Sequence, residues 1–103
     1  MDINNLKSAL ASGNYRISFH AFEEALKDDL KIKHIVESFQ TATVIEYYLT
    51  SKPLPSCLIL SFVREVSIHT VWGYDTLANK AILITVYKPD PKKWVEYKER
   101  KKQ

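Results

Sequence analysis

Residues 57–87, CLILSFVREVSIHTVWGYDTLANKAILITVY, decide the fold class of this chain. β-Branched and aromatic residues are concentrated there in short runs, and such runs are typical of β-strands. The connections between the runs are short and polar, so each favours a turn. We therefore predict an antiparallel meander of three strands, at residues 57–63, 66–74 and 81–87.

The chain before this meander contains a further strand and a helical region. Residues 43–48 again have strand character. Near the start of the chain, Asp2 can cap a first helix, and Gly13 stands where a helix commonly ends in the left-handed conformation. A short strand is predicted at residues 15–18.

Ser18 can cap a second helix, and a shorter third helix follows Lys31. The predicted second helix is amphipathic, with its acidic residues facing water and one apolar stripe facing the core. The stripe consists of Phe22, Ala25, Leu26 and Leu30. The two helices should form a helical hairpin that packs on the sheet.

The C-terminal segment, residues 88–103, is predicted to be helical. Asp90 followed by Pro91 is a favourable helix start, because the carboxylate accepts from exposed amides and proline suits the first helical position. Trp94 would dock this helix, whereas Arg100 and the lysines after it would extend into water. The expected fold class is α+β: an N-terminal helix, a short strand, a helical hairpin on a twisted antiparallel sheet of about four strands, and a C-terminal helix.

Composition sets limits on the class of protein. The chain has 103 residues, of which 46% are hydrophobic and 26% charged, so a single globular domain covering 1–103 is expected. Its one cysteine, Cys57, cannot form an intramolecular disulfide and lies in an apolar run typical of a buried position. Without a recognisable signal peptide or membrane span, we expect a cytoplasmic protein.

The net charge of +3 is unevenly distributed. Residues 1–87 hold eight basic and nine acidic residues, whereas residues 88–103 hold seven basic and three acidic ones. A basic C-terminal segment of this kind can attract the phosphate backbone of a nucleic acid or an acidic partner protein. The charge is equally consistent with the solvated surface of a helix.

Strand alternation predicts one polar cluster on the sheet. In the last strand, Ile82, Ile84 and Val86 would face the helices, so Tyr87 would face the opposite side. His69 shares that side with Tyr87 if the apolar faces of the two strands coincide. A histidine and a tyrosine together are suited to general acid and base catalysis.

Cations at the sheet edge or beyond Tyr87 could neutralise a phosphate in a transition state: Arg64, Lys88, Lys92 and Lys93. A purely structural role remains open for each histidine. His69 could bond a carbonyl, His20 could anchor the start of the second helix, and His34 is expected on the surface. The spacing of the three histidines matches no helical zinc site, and no glycine-rich nucleotide loop is present, so neither metal nor cofactor is expected.

Four short motifs, taken in order, resemble a known family: Ile17-Ser18-Phe19-His20-Ala21, Leu54-Pro55-Ser56-Cys57-Leu58, Ile68-His69, and Thr85-Val86-Tyr87-Lys88-Pro89-Asp90 followed by Trp94. They resemble the domain of unknown function 4258 family, a branch of the RelE-like toxins in the RelE/ParE superfamily. The resemblance runs from about residue 15 to residue 94. It implies a helical hairpin on one face of a twisted antiparallel sheet, with the opposite face concave and open.

Relatives such as BrnT, MqsR and RelE are ribonucleases of toxin–antitoxin pairs, and several cut messenger RNA on the ribosome without a metal. By this resemblance Tyr87, His69 and His20 are the candidate catalytic residues. The chain departs from the pattern in its second helix, where Glu23, Glu24, Asp28 and Asp29 would repel an RNA backbone.

The leading hypothesis is a RelE-like toxin that cleaves RNA without a metal, with RNA or the ribosome as target and an antitoxin protein as partner. The alternative is a non-catalytic interaction domain on the same scaffold that binds a partner protein or nucleic acid. An enzyme of another class is the third reading. None of the three calls for a membrane or a small-molecule cofactor.

Overall fold

The computed structural model of the protein describes residues 1–102, and within them the fold is α+β, as expected. The helices are α1 (Ile3–Ala11), α2 (Phe19–Lys27) and α3 (Ile32–Glu37), followed by a 3₁₀ turn at Ser38–Thr41. The strands are β1 (Tyr15–Ile17), β2 (Thr43–Tyr48), β3 (Ser56–Val63), β4 (Val66–Asp75), β5 (Lys80–Tyr87), β6 (Trp94–Val95) and β7 (Glu99–Arg100).

The main sheet has five strands in the order β1-β5-β4-β3-β2. Strands β2 to β5 are antiparallel neighbours, which confirms the predicted meander and the strand before it. The expected number of about four strands was too low, because β1 joins the free edge of β5 in parallel, Tyr15 pairing with Ala81. The sheet is therefore mixed. Strand β1 has only three residues, which is too short a stretch for its sequence pattern to predict a parallel pairing with β5.

The helix ends form as the sequence predicts. The Asp2 carboxylate accepts from the Asn4 amide at 2.8 Å, and the Ser18 hydroxyl accepts from the Ala21 amide at 3.0 Å. Gly13 follows α1 with φ of +75°, the left-handed region that suits glycine. Over residues 1–102, no helix combines the length and apolarity that crossing a membrane requires.

The face that α2 presents to the core differs from the predicted one. Ala21 and Ala25 are buried, whereas Phe22 and Leu26 are exposed. The Ser18 hydroxyl, which caps α2, also donates to the Ile84 carbonyl at 2.9 Å, so the start of the helix lies directly against β5. Small side chains permit this close approach, and the large apolar ones are left outside.

The core lies between the helices and one face of the sheet. Leu6, Ile35, Ile59, Ile68 and Trp72 are among its fully buried members. Cys57 also belongs to this core, which confirms its predicted burial.

The faces of β5 do not alternate as predicted. Both Leu83 and Val86 lie in the core, whereas Ile84 is exposed. The register against β4 shifts between Val71, which pairs with Thr85, and Trp72, which pairs with Leu83. This irregularity inserts one residue into β5 and interrupts the alternation.

The C-terminal segment is not helical. After one turn, in which the Asp90 carboxylate accepts from the Lys92 amide at 2.9 Å, the chain extends into β6, reverses and returns as β7. Glu96 and Tyr97 have φ of 50° and 63° at the reversal. Trp94 is buried, as expected of a docking residue. The hairpin formed by β6 and β7, residues 94–100, lies over the sheet face opposite the helices.

Candidate active site

His69 and Tyr87 lie side by side on the sheet face opposite the helices, which we call the second face. They are directly paired in the register of β4 and β5. Nδ1 of His69 and the Tyr87 hydroxyl are 3.0 Å apart, within hydrogen-bond distance. The predicted juxtaposition of these two residues is therefore present. The irregularity in β5 does not disturb this pairing, because it lies before Val86 in the strand. Val86 therefore faces the core, and Tyr87, the next residue, faces the opposite side.

The C-terminal hairpin closes over His69. Nε2 of His69 lies 2.7 Å from the Tyr97 carbonyl oxygen, and the Trp94 ring packs edge-on against the imidazole at 4.5 Å between centroids. His69 is fully buried, whereas Tyr87 keeps partial access to solvent. The second face is thus not open at this point, contrary to what the resemblance implies.

These contacts determine which nitrogen of His69 carries the proton. A carbonyl oxygen can only accept, so Nε2 donates to Tyr97. In the neutral ring Nδ1 is then the acceptor, and the Tyr87 hydroxyl donates to it. Tyr87 therefore has its proton directed at His69 and its oxygen lone pairs free.

An ion pair anchors the hairpin beside this pair. Arg100 donates to both carboxylate oxygens of Glu46, at 2.9 and 3.1 Å. Its guanidinium also lies 4.8 Å from the centroid of the Trp94 ring, a cation–π distance. The Tyr48 hydroxyl donates to the same carboxylate. Glu46 and Tyr48 lie on β2, and Arg100 on β7, so the ion pair links the hairpin to the sheet.

The environment shifts the pKa values of this cluster. Burial lowers the pKa of His69, so the imidazole is neutral near pH 7, and burial raises the pKa of Tyr87. The Arg100 hydrogen bonds lower the pKa of Glu46. Burial, together with the Glu46 carboxylate, raises the pKa of Tyr48 to about 12. The cluster thus combines a carboxylate and a guanidinium with neutral phenols and a neutral imidazole.

This arrangement can transfer protons and bind an anion. Tyr87 can take a proton on its oxygen while passing its own to His69, because the hydrogen bond between them already has that direction. Arg100 is exposed enough to exchange Glu46 for another anion, its side chain being 63% accessible. Within residues 1–102, no three His, Cys, Asp or Glu side chains are grouped as a metal site would require.

His20 forms no hydrogen bond with either member of the pair. It is exposed on α2, and its Nε2 lies 3.1 Å from the Thr85 hydroxyl. Thr85 precedes Tyr87 by two residues on β5, so His20 contacts the strand that contains Tyr87 at a position two residues earlier. The contact matches the anchoring role considered for this histidine, since it ties the first turn of α2 to β5.

The four predicted phosphate-binding cations likewise form no hydrogen bond or ion pair with His69 or Tyr87. Arg64 and Lys88 line a cleft of about 310 Å³ together with Lys31 and His34. The cleft is bounded by the α2–α3 connection and by the β3–β4 turn, on the helix side of the sheet. Lys92 and Lys93 are exposed in the turn before β6. None of the four lies in the cluster around His69 and Tyr87.

Three members of the cluster were missed by sequence reasoning: Glu46, Tyr48 and Arg100. Arg100 was expected to extend into water, but it binds Glu46 instead. The spacing of Glu46 and Tyr48, two residues apart in a predicted strand, does place them on one face. No local signal indicates that this face is the one containing His69, because the pairing of β2 with β3 decides it.

Comparison with known protein families gives a match. The model of a family described as "Domain of unknown function (DUF4258)" matches residues 17–88, well over half of the chain. The matched residues include His20, His69 and Tyr87 but not the C-terminal hairpin. No curated protein and no solved structure matches the chain significantly. The extent of the family match is sufficient to conclude that the chain belongs to the DUF4258 family.

Proposed function

We propose that this protein is a RelE-like toxin that cleaves RNA without a metal ion, with Tyr87 and His69 transferring the proton. The observation that carries the proposal is the hydrogen bond of 3.0 Å between His69 Nδ1 and the Tyr87 hydroxyl, on the sheet face opposite the helices. Tyr87 is the member of the pair that reaches solvent, so it would touch the substrate. His69 acts through Tyr87 and is a positioning residue.

The proposed reaction is attack by a ribose on its own phosphate. The proton of the 2′-hydroxyl passes to the Tyr87 oxygen while the Tyr87 proton passes to Nδ1 of His69. A bond forms between O2′ and phosphorus, and the bond from phosphorus to O5′ breaks. The departing O5′ takes a proton from water, and the imidazolium returns its proton to solvent through Tyr87. The products are a 2′,3′-cyclic phosphate and a 5′-hydroxyl.

Arg100 is the proposed phosphate-binding residue. A guanidinium binds a phosphate through two parallel hydrogen bonds, the same geometry in which Arg100 now binds the Glu46 carboxylate. The scissile phosphate would replace Glu46 as the partner of Arg100. The charge would then stabilise the additional negative charge of the transition state.

The toxin assignment rests on the resemblance to RelE-like proteins and is compatible with the DUF4258 membership. It places the protein in the cytoplasm, where messenger RNA and ribosomes are found. A protein that cuts its host's RNA needs an antitoxin partner that keeps it inactive. A short reading frame beside the gene, encoding a small protein that co-purifies with this chain, would support the pair.

The decisive experiment is an RNA cleavage assay with purified protein. We expect the wild type to generate fragments with 2′,3′-cyclic phosphate ends, and Tyr87→Phe to lower the rate at least about 100-fold, the scale of general acid–base catalysis. Tyr47→Phe, an exposed tyrosine on β2, is the matched control and should retain the wild-type rate. Cleavage that persists in Tyr87→Phe would contradict the proposal.

Growth provides the second readout. Induced expression of the wild type in a bacterium should arrest growth, and Tyr87→Phe should not. A protein that is folded by circular dichroism but neither cuts RNA, free or ribosome-bound, nor arrests growth would overturn the ribonuclease proposal.

The burial of His69 favours a second candidate function, a non-catalytic interaction domain. Here the contacts of His69 with Tyr97 and Trp94 would serve only to fix the hairpin. In that case RNA or a partner protein would bind to the folded domain without any bond being broken. An electrophoretic shift that weakens steeply with salt, without fragments, would support nucleic-acid binding by this domain.

A further inference from the structure

His20 is an exposed histidine to which the proposed reaction gives no role. It is the second residue of α2, and its Nε2 lies 3.1 Å from the Thr85 hydroxyl. The Ser18 amide already donates to the Leu83 carbonyl at 3.0 Å, and the Ser18 hydroxyl donates to the Ile84 carbonyl at 2.9 Å. The start of α2 is therefore held on β5 without the imidazole.

Thr85 lies on the same sheet face as Tyr87. The register pairs Thr85 with Val71. Two residues further along both strands, it pairs Tyr87 with His69. Alternate residues of a strand face the same side, and the irregularity in β5 lies before Thr85, so Thr85 shares the second face with Tyr87. Through Thr85, His20 reaches the face that carries the proton-transfer pair.

The start of α2 lies beside the stretch of β5 that contains Thr85 and Tyr87. Strand β1 pairs with β5 as far as Leu83, and α2 begins two residues after β1. The Cα atoms of Thr85 and Tyr87 are roughly 7 Å apart, twice the rise per residue of a strand. A phosphate bound over this stretch can contact Tyr87 on one side and His20 on the other.

The Thr85 contact determines which nitrogen of His20 is available to a ligand. A protonated imidazole donates through both nitrogens. Nε2 then donates to the Thr85 hydroxyl, and within residues 1–102 no protein group bonds Nδ1. The Nδ1 proton is thus left for a bound substrate.

RNA cleavage requires a second proton transfer, which the pair of His69 and Tyr87 does not perform. Departure of O5′ leaves an alkoxide, and an alkoxide needs a proton. The attacking and leaving oxygens lie roughly in line through phosphorus, so the proton acceptor and the proton donor must stand on opposite sides of the phosphate. A histidine exchanges its proton near neutral pH and suits the donor role.

We propose that His20 is the general acid that protonates the departing O5′ through Nδ1, and that Thr85 is the positioning residue that holds its ring. The inference rests on the proposed ribonuclease function and replaces water as the source of this proton. The Nδ1 proton passes to O5′ as the bond from O5′ to phosphorus breaks, and the neutral imidazole regains a proton from solvent. The proton of the 2′-hydroxyl still leaves through Tyr87 and His69.

The test compares two RNA substrates that differ in the leaving atom. The bond that the wild type cuts is mapped first, and the bridging 5′-oxygen at that bond is then replaced by sulfur. A thiolate is far more stable in water than an alkoxide, so sulfur departs without a general acid. We expect His20→Gln to cut the oxygen substrate at least about 100-fold more slowly than the wild type, and the sulfur substrate at close to the wild-type rate. Tyr87→Phe should be slow with both, because O2′ must still lose its proton.

Thr85 and a control variant complete the set. Thr85→Val removes the hydroxyl and should lower kcat for the oxygen substrate about tenfold with KM unchanged, because the imidazole is present but no longer held. Thr85→Ser should restore the rate. Glu23→Gln introduces the same side chain at an exposed position of α2, so this matched control should keep the wild-type rate at saturating RNA.

Each outcome decides between the two proposals. If His20→Gln cuts the oxygen substrate like the wild type while Tyr87→Phe is slow, the general acid is wrong and the ribonuclease proposal stands. Equal slowing of His20→Gln on both substrates would show a structural or binding role and would also refute the inference. The ratio of the two rates does not depend on the folded fraction, so partial unfolding of a variant does not obscure the result. A wild type that leaves all RNA intact would overturn both proposals.

Discussion

His69 is held between two hydrogen-bond partners of different character. The Tyr97 carbonyl can only accept, and the Tyr87 hydroxyl can donate or accept. Burial favours the neutral ring, so Tyr87 donates to Nδ1 and its oxygen remains available to a substrate. Protonation of His69 would make both nitrogens donors and force the Tyr87 hydroxyl to rotate. The protonation state of His69 thus controls whether the Tyr87 hydroxyl presents its oxygen lone pairs or its proton to solvent.

The lowered pKa of His69 predicts a pH dependence of folding stability. The unfolded histidine titrates near pH 6.5, and the folded one titrates below that. Between the two pKa values the unfolded state binds the extra proton, so stability rises with pH there. This contribution is fully present above about pH 6.5, and it is lost as the pH falls through the folded pKa. Each unit of lowering corresponds to about 1.4 kcal/mol.

Urea unfolding of the wild type and of His69→Gln measures this contribution. Between about pH 7.5 and about pH 5, the free energy of unfolding should fall more in the wild type, because the variant has no group that titrates at this position. His20 and His34 are present in both proteins, so their contributions cancel. Equal losses in the two proteins would show that His69 titrates alike in the folded and unfolded states.

At the scale of elements, the C-terminal hairpin determines whether His69 is buried or exposed to solvent, because Tyr97 and Trp94 of the hairpin contact its ring. Its strands are two residues long, so its own ladder contributes little. It is held by the Trp94 ring packed against His69, by the Tyr97 carbonyl, and by the Arg100–Glu46 ion pair. Because Arg100 is largely exposed, the ion pair contributes at most about 1 kcal/mol. Burial of Trp94 is therefore the main source of hairpin stability.

Trp94→Ala tests this assignment. The substitution should lower the free energy of unfolding by about 3 kcal/mol, the lower end of the range for a buried tryptophan. Water would reach His69, so its pKa should move toward 6.5 in an NMR titration of the imidazole. Val95→Ala is the matched control on the same strand: Val95 is 46% exposed, and its loss should cost less than about 0.5 kcal/mol. If Trp94→Ala leaves both stability and the His69 titration unchanged, the hairpin is not held by Trp94.

For the whole molecule, charge is unevenly distributed along the chain. Helix α2 carries a cluster of acidic residues, whereas residues 88–103 include seven basic residues and three acidic ones. An RNA strand is therefore expected to contact the C-terminal segment rather than the surface of α2. The cleft lined by Arg64, Lys88 and Lys31, together with one carboxylate, Asp29, lies on the helix side of the sheet, and its excess of cations offers further phosphate contacts beyond the cluster.

The salt dependence of RNA binding tests the role of this cleft. Each lost phosphate contact lowers the slope of log affinity against log salt by about 1. Lys88→Ala should show this change while the cleavage rate of bound RNA stays the same, since Lys88 lies outside the cluster. Lys7→Ala, an exposed lysine on α1, should leave the slope unchanged. An equal change in both variants would mean that the cleft contributes only general charge.

The sequence by itself determined the features that depend on neighbours in the chain. Asp2 and Ser18 cap helices within three residues, and alternation in 43–48 and 57–87 predicts four antiparallel strands, all of which form. The proximity of His69 and Tyr87 was predictable for the same reason, because short turns set the register between consecutive strands.

Only the tertiary structure decided what depends on contacts between distant segments. The helix signal at Asp90 is local and yields one turn, but burying Trp94 against His69 favours an extended hairpin over a solvated helix. The same holds for α2, where close approach to β5 places Ala21 and Ala25 inside and the larger side chains outside. Arg100 reaches Glu46 across more than fifty residues of chain. Such contacts override local preference, because the free energy of burial exceeds the small differences in propensity between helix and strand.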